Sequence, residues 1–360
     1  MKLSKNKIFW LVILLVVVAV LFFSNREIST GIKNQTQETK NPLAQLIKQT
    51  SPTPFSFQEL TIPFLRQQKY ESSLGALEKN YENSQYTAFL TNYTSDGLRV
   101  NGLLTVPKEP VPRIPTESGE VGWPAIIFIH GYIPPAQYNT VQNYYDYVDY
   151  LARNGFVIFK IDLRGNGNSE GEPGGAYYSA DYIIDTFNAY SALQNSDFVN
   201  PNKIGLWGHS MAGNVVMRSF AVKPEIPAVV IWAGAVYSYT DMQEFGINDS
   251  SYQSPGTSTE RSRKRQRIRD TYGDPNSDNF FWQQMAPTNY LDDLKGAIQI
   301  HHAVNDTVVN IGYSKNLISL LNKTQVPHEL QEYSSGGHNL NGSTFNEAMQ
   351  KTVKFFKKYL

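Results

Sequence analysis

The chain has no cysteine, which excludes disulfides, thiol nucleophiles and cysteine-based metal sites. It also lacks net charge. Its 32 basic residues balance 32 acidic ones, which argues against a general nucleic-acid binder. No internal repeat is visible. No phosphate-binding loop is visible either: Gly165-Asn166-Gly167 is glycine-rich, but neither G-x-x-x-x-G-K-[ST] nor a complete G-x-G-x-x-G accompanies it. The bland reading of that stretch is a turn shaped by Asp162 and Arg164. What remains is a chain of 360 residues, long enough for one large α/β domain with appendages.

One long apolar run is present, Ile8 to Phe23, preceded by Lys2, Lys5 and Lys7. As a helix it spans roughly 24 Å, slightly short of a bilayer core, and snorkelling lysines would extend its reach. The residues near Leu21-Phe22-Phe23 are too bulky for a signal-peptidase site, so an uncleaved anchor is favoured over a cleaved signal. The lysines place the N-terminus inside and the body outside the membrane; secretion after cleavage is the alternative. Residues 1–23 thus read as a cytoplasmic tip and anchor, 24–60 as a polar linker and 61–360 as the folded domain.

Within that domain, Tyr86–Tyr93 and Leu98–Val106 flank Thr94-Ser95-Asp96-Gly97, a hairpin signal, and are expected to be the first two strands. A fully apolar run follows at Ala125–Ile129, with further strands expected at Val157–Ile161, Ile204–Trp207, Ala228–Trp232, Ile298–His302 and His328–Tyr333. Helical stretches lie between them at Val141–Asn154, Asp181–Asn195 and about 314–322, with a closing helix at 343–360. Strands apolar on both faces, alternating with helices, predict a mainly parallel sheet covered on both sides. The alternation breaks at about 235–291, which contains Arg261–Arg269. That stretch is expected to be a cap over the carboxyl ends of the strands. The basic run reads first as a solvated helix face, and second as a contact for anionic groups.

Ile204 to Gly213 runs from a buried strand through Gly208-His209-Ser210-Met211-Ala212-Gly213 into helical spacing. A serine at the apex of a tight strand-to-helix turn is a nucleophile elbow. Here Ala212 stands where the usual G-x-S-x-G pattern has its second glycine. A serine nucleophile needs a base, and the base needs an orienting acid. In a parallel sheet both should follow strands. Of the six histidines, His338 follows the last strand in a glycine-rich loop and is the candidate base. Asp306 follows the preceding strand and is the candidate acid; Asp292 and Asp293 lie at that strand's other end. His209 reads as packing, His130 as a structural loop residue, and His301, His302 and His328 as misplaced for the base. The oxyanion donors are expected to be the backbone N–H groups of Met211 and Tyr132, with Gly131 letting the loop turn toward substrate.

These segments, in this order, resemble the α/β-hydrolase superfamily, and most of all the prolyl oligopeptidase (S9-like) catalytic domain. The resemblance rests on His130-Gly131-Tyr132, Asp162 to Ser169, Gly208 to Gly213, Asn305-Asp306-Thr307-Val308 and Gly337-His338. It implies an eight-stranded, mainly parallel sheet with helices on both faces and a cap insertion. The family's nucleophile, acid and base map onto Ser210, Asp306 and His338. The stretch between residues 23 and 86 is too short to hold the propeller of those peptidases. The expectation is therefore a serine hydrolase cleaving an ester or amide through an acyl-enzyme on Ser210. Its substrate would be a small ester or a short peptide, with no cofactor or metal required. An S9-like peptidase and a non-catalytic binding protein on the same fold are the alternatives. The three matched residues speak against the binding protein.

Overall fold

A computed structural model describes residues 53–108, 114–115, 121–248 and 259–360. The apolar run at 8–23 lies outside these, and among the described residues no helix is long and apolar enough to cross a membrane.

The strands, in chain order, are β1 (Glu78–Glu82), β2 (Tyr86–Ser95), β3 (Leu98–Pro107), β4 (Ile114–Pro115), β5 (Val121–Ile129), β6 (Val157–Ile161), β7 (Val199–His209), β8 (Ala228–Trp232), β9 (Ala297–Ala303) and β10 (His328–Tyr333). Nine of them form one sheet in the order β1-β2-β3-β6-β5-β7-β8-β9-β10, and β4 is a short antiparallel bridge to β5. From β6 to β10 every neighbouring pair is parallel, whereas β1, β2 and β3 run antiparallel. The predicted eight strands are thus nine, and the expected hairpin is β2–β3 rather than the first pair. The extra strand, Glu-Lys-Asn-Tyr-Glu, is almost entirely exposed, so it carries no apolar signature. Its charges suit an edge, where they discourage pairing with another chain. The hairpin turn puts Asp96 and Gly97 at φ 50° and 78°, the left-handed pair that a two-residue connection demands.

The helices are α1 (Ile62–Leu65), α2 (Tyr145–Arg153), α3 (Asp181–Gln194), α4 (Ala212–Val222), α5 (Tyr239–Phe245), α6 (Glu260–Tyr272), α7 (Phe280–Met285), α8 (Gly312–Leu321) and α9 (Ser343–Tyr359). They cover both faces of the sheet. One core joins alternate strand residues such as Ile127, Phe159 and Leu206 to Phe187 of α3, Val215 of α4 and Leu317 of α8. The other joins Phe128, Ile158 and Trp207 to Leu151 of α2 and Met349 and Phe356 of α9. Strand residues of β6 and β8 are buried on both faces, which is why their sequences are apolar but for Lys160. Helix α2 begins later than its apolar pattern, because Tyr144 before it is left-handed at φ 60°.

The fold begins before residue 61. Residues 55–60, assigned by composition to the linker, are part of the body: Phe55 and Phe57 pack on the core and Leu60 is buried. Arg218 of α4, itself buried, donates from Nη2 to Leu60 O (2.5 Å) and from Nη1 to Ser179 O (2.7 Å) and Ala176 O (3.1 Å). Arg66 in turn donates to Ala221 O at the end of the same helix and pairs with Asp293 at 2.9 Å. The segment 60–66 is therefore fastened to α4 at both its ends.

Between β8 and β9 the described part of the cap holds α5, α6 and α7 and a 3-10 turn at Pro287–Asp293, with no strand among its described residues. The basic helix α6 is not simply a solvated face. Arg265 lies over the Tyr178 ring at 4.6 Å, Arg261 presses against Gly175, and Arg269 lies 3.3 Å from Asp274.

Candidate active site

The carboxyl ends of β5, β6, β7, β9 and β10 lie along one edge of the parallel sheet, as the shared strand direction requires. His130, Asp162, Ser210, Asp306 and His338 follow those five strands in that order.

Ser210 stands between β7 and α4 at φ 57°. A residue with a Cβ rarely adopts this conformation, and here the surroundings hold it. Its N–H donates to Trp232 O (2.9 Å), and its carbonyl accepts from Gly213 N (2.9 Å) and Ala235 N (3.3 Å). The small residues around it are set by contact. A Cβ on Gly208 would lie 2.6 Å from Val216 Cγ2 and 3.1 Å from the Ala212 Cβ. A Cβ on Gly213 would lie 2.6 Å from Gly234 Cα. Ala212 is tolerated because Gly208 opposite it is bare; the glycine that cannot be replaced is the next one. Met211 follows the serine at the start of α4, where the first N–H groups of a helix have no partner within it. Tyr132 lies in the loop after β5, packed at the edge of the core.

Asp306 and His338 meet. His338 Nδ1 donates to Asp306 Oδ2 at 2.8 Å, which leaves the lone pair on Nε2. The carboxylate's other oxygen accepts from the N–H groups of Val308 (2.8 Å) and Val309 (3.0 Å). Its side chain is fully buried, while that of His338 keeps 16% exposure. Burial works against the Asp306 charge, but the hydrogen bonds from His302, His338 and the Val309 N–H outweigh it. They hold the carboxyl below the usual carboxylate range. Gly337 N donates to Asn305 Oδ1 (3.0 Å), and Tyr147 Oη donates to Asn339 O (2.8 Å), so the loop carrying His338 is fixed on both sides.

His302 was set aside in the sequence as a misplaced base, yet it touches the acid. Its Nε2 lies 3.2 Å from Asp306 Oδ2 and 3.0 Å from Val309 O, both acceptors, so Nε2 carries the proton and Nδ1 accepts from Ser314 Oγ (2.7 Å). The signal available was its spacing: a histidine ending a strand four residues before the acid.

His209 also departs from expectation. It does not merely pack: Nε2 donates to His338 O (3.0 Å) and Nδ1 accepts from Tyr144 Oη (2.7 Å). Its ring lies 4.6 Å from that of His338. Burial, and then the neighbouring His338, lower it to about 3, so it stays neutral. Gly131 N donates to Tyr144 Oη (3.0 Å), and a Cβ on Gly131 would lie 2.7 Å from that oxygen. Gly131 is needed for this close approach rather than for a turn. His130 has the structural position expected of it, with ring nitrogens 2.6 Å from Gly131 O and 2.9 Å from Asp162 O, and burial lowers it to about 4. Asp162 accepts from Tyr138 (2.8 Å) and Thr140 (2.6 Å), and Arg164 pairs with Asp185 (2.7 Å) and Asp96 (2.9 Å). These bonds brace the loops after β5 and β6.

The sheet order, the elbow at Ser210 and the acid–histidine pair after the last two strands decide the fold. It is the α/β-hydrolase fold. Residues 124–277 match the family model of the serine aminopeptidases, S33. The chain is 24% identical over 250 residues to an uncharacterized peptidase, YtmA, of Bacillus subtilis, covering 68% of this chain and 84% of that one. Acetyl xylan esterase 1 from Thermoanaerobacterium shares the fold at TM-score 0.54 and 18% identity, over 86% of this chain and 98% of that one. Dipeptidyl peptidase 4 from Porphyromonas gingivalis does so at TM-score 0.57 and 18% identity, over 77% of this chain but 36% of its own length. The match thus spans only about a third of that peptidase, and the described residues of this chain include no propeller.

Proposed function

We propose that the protein is a serine hydrolase that cleaves a small ester or amide through an acyl-enzyme on Ser210. The observation that carries this reading is the 2.8 Å bond from His338 Nδ1 to the buried Asp306, on the loop next to the serine elbow. With Nδ1 committed to the carboxylate, Nε2 is the free base. Ser210 Oγ attacks the carbonyl carbon as Nε2 takes its proton; the leaving group departs with that proton. Water, deprotonated by the same nitrogen, then releases the acid. The N–H groups of Met211 and Tyr132 receive the negative oxygen of each tetrahedral intermediate. Losing one such donor typically costs roughly 3 kcal/mol of transition-state stabilisation.

A fluorophosphonate probe tests the reading. Wild type should take the label and Ser210→Ala should not; an unlabelled wild type would sink it. Comparing short acyl esters with aminoacyl amides then chooses between esterase and peptidase. The family model favours including amides, because it describes aminopeptidases. We also place the body outside a membrane, tethered through 8–23, on the strength of the lysines before that apolar run. Full-length protein should stay with membranes in high salt and leave with detergent; recovery of the domain in the medium would overturn the tether.

A further inference from the structure

We propose that Tyr144 and His209 are positioning residues that lock the base loop and the oxyanion loop into one hydrogen-bonded unit. The inference rests on the serine-hydrolase reading and adds two residues to it.

Three bonds run in series: Gly131 N to Tyr144 Oη (3.0 Å), Tyr144 Oη to His209 Nδ1 (2.7 Å) and His209 Nε2 to His338 O (3.0 Å). The two ends fix the direction. A backbone N–H only donates and a backbone carbonyl only accepts. Tyr144 must therefore accept from Gly131 and pass its own proton to Nδ1, and His209 must carry its proton on Nε2. One protonation pattern satisfies every atom. The ends of the chain are the residue before Tyr132 and the proposed base itself, so both working loops hang from the same two side chains.

Two further features point to a positioning role rather than filling. Tyr144 precedes α2 at φ 60° and makes no side-chain cap to that helix, so its strained backbone serves to aim the hydroxyl elsewhere. Gly131 has no room for a side chain against Tyr144 Oη and His209 Nδ1, at 2.7 and 3.1 Å from an added Cβ. The contact thus constrains three residues from separate segments: the loop after β5, the residue before α2 and the end of β7.

Breaking the series should displace donor and base relative to Ser210 without altering substrate contacts. Misplacement of about 1 Å can cost on the order of 100-fold in rate. Tyr144→Phe and His209→Phe are each expected to lower kcat per fluorophosphonate-labelled site by about 10- to 100-fold, with KM nearly unchanged. The double variant should lose no more than the worse single one, because a series breaks only once. Wild-type kcat per labelled site in Tyr144→Phe would overturn the inference, as would additive losses in the double variant. Should His209→Phe yield no folded protein, Tyr144→Phe decides alone. A wild type that takes no label removes the serine-hydrolase reading instead, so the two failures are distinct.

Discussion

At Ser210 a side-chain-bearing residue is held in the left-handed region, φ 57°, at a cost of about 1–2 kcal/mol. Glycine would relieve that cost and alanine would not. Ser210→Gly is therefore expected to be more stable than Ser210→Ala by about 1 kcal/mol in chemical denaturation. Both lack the hydroxyl and should be inactive. Equal midpoints would mean that the elbow is unstrained. The same residue shows what the sequence could and could not yield. The placement of Ser210 and Asp306 after strands was legible because β7 and β9 carry strongly apolar stretches, and that of His338 because it stands in a glycine-rich loop after the last strand. His302, His209 and Tyr144 were not, because their roles depend on side chains from distant elements meeting at 3.2 Å or less. Spacing along the chain carries no record of such meetings.

The crossing of α4 with the turn after β8 is an element-scale counterpart. Gly213 and Gly234 let the two backbones touch, and a Cβ at Gly213 would lie 2.6 Å from the Gly234 Cα. The obstacle is main chain, which cannot swing aside. Gly213→Ala is expected to destabilise the fold by about 1–3 kcal/mol, read from the urea midpoint, and to slow acylation of the proposed nucleophile, Ser210, next to which α4 starts. Unchanged stability and rate would show that the crossing is slack. Buried strands β6, β8 and β9 were found within a few residues, whereas β1 escaped because an exposed edge has no hydrophobic pattern to read. The insertion between β8 and β9 was recognised by the lack of strands, and the contacts of its Arg261 and Arg265 with Gly175 and Tyr178 were not.

For the whole molecule, three buried histidines set the response to acid. Burial lowers His130 to about 4, His209 to about 3 and His301 well below 6.5. Below pH 6.5 the unfolded chain binds protons at these sites and the folded chain does not, so stability falls as pH falls. Each contributes up to about 1.4 kcal/mol per pH unit across its window. The Asp306 carboxylate, depressed in the fold, contributes in the same direction only once pH drops below about 4. The denaturation midpoint should be clearly lower at pH 5.5 than at pH 7, and His209→Gln should flatten the slope. A midpoint that does not move between those values would refute the assignment of neutral buried rings.

The fastening of residues 60–66 to α4 has a mechanical meaning. Force arriving from the N-terminal side of the chain meets the Arg218–Leu60 and Arg66–Ala221 bonds before it reaches β1. These bonds act as a cable clamp. They take the load on α4, every residue of which is buried, and the mostly exposed edge strand is spared from being peeled away.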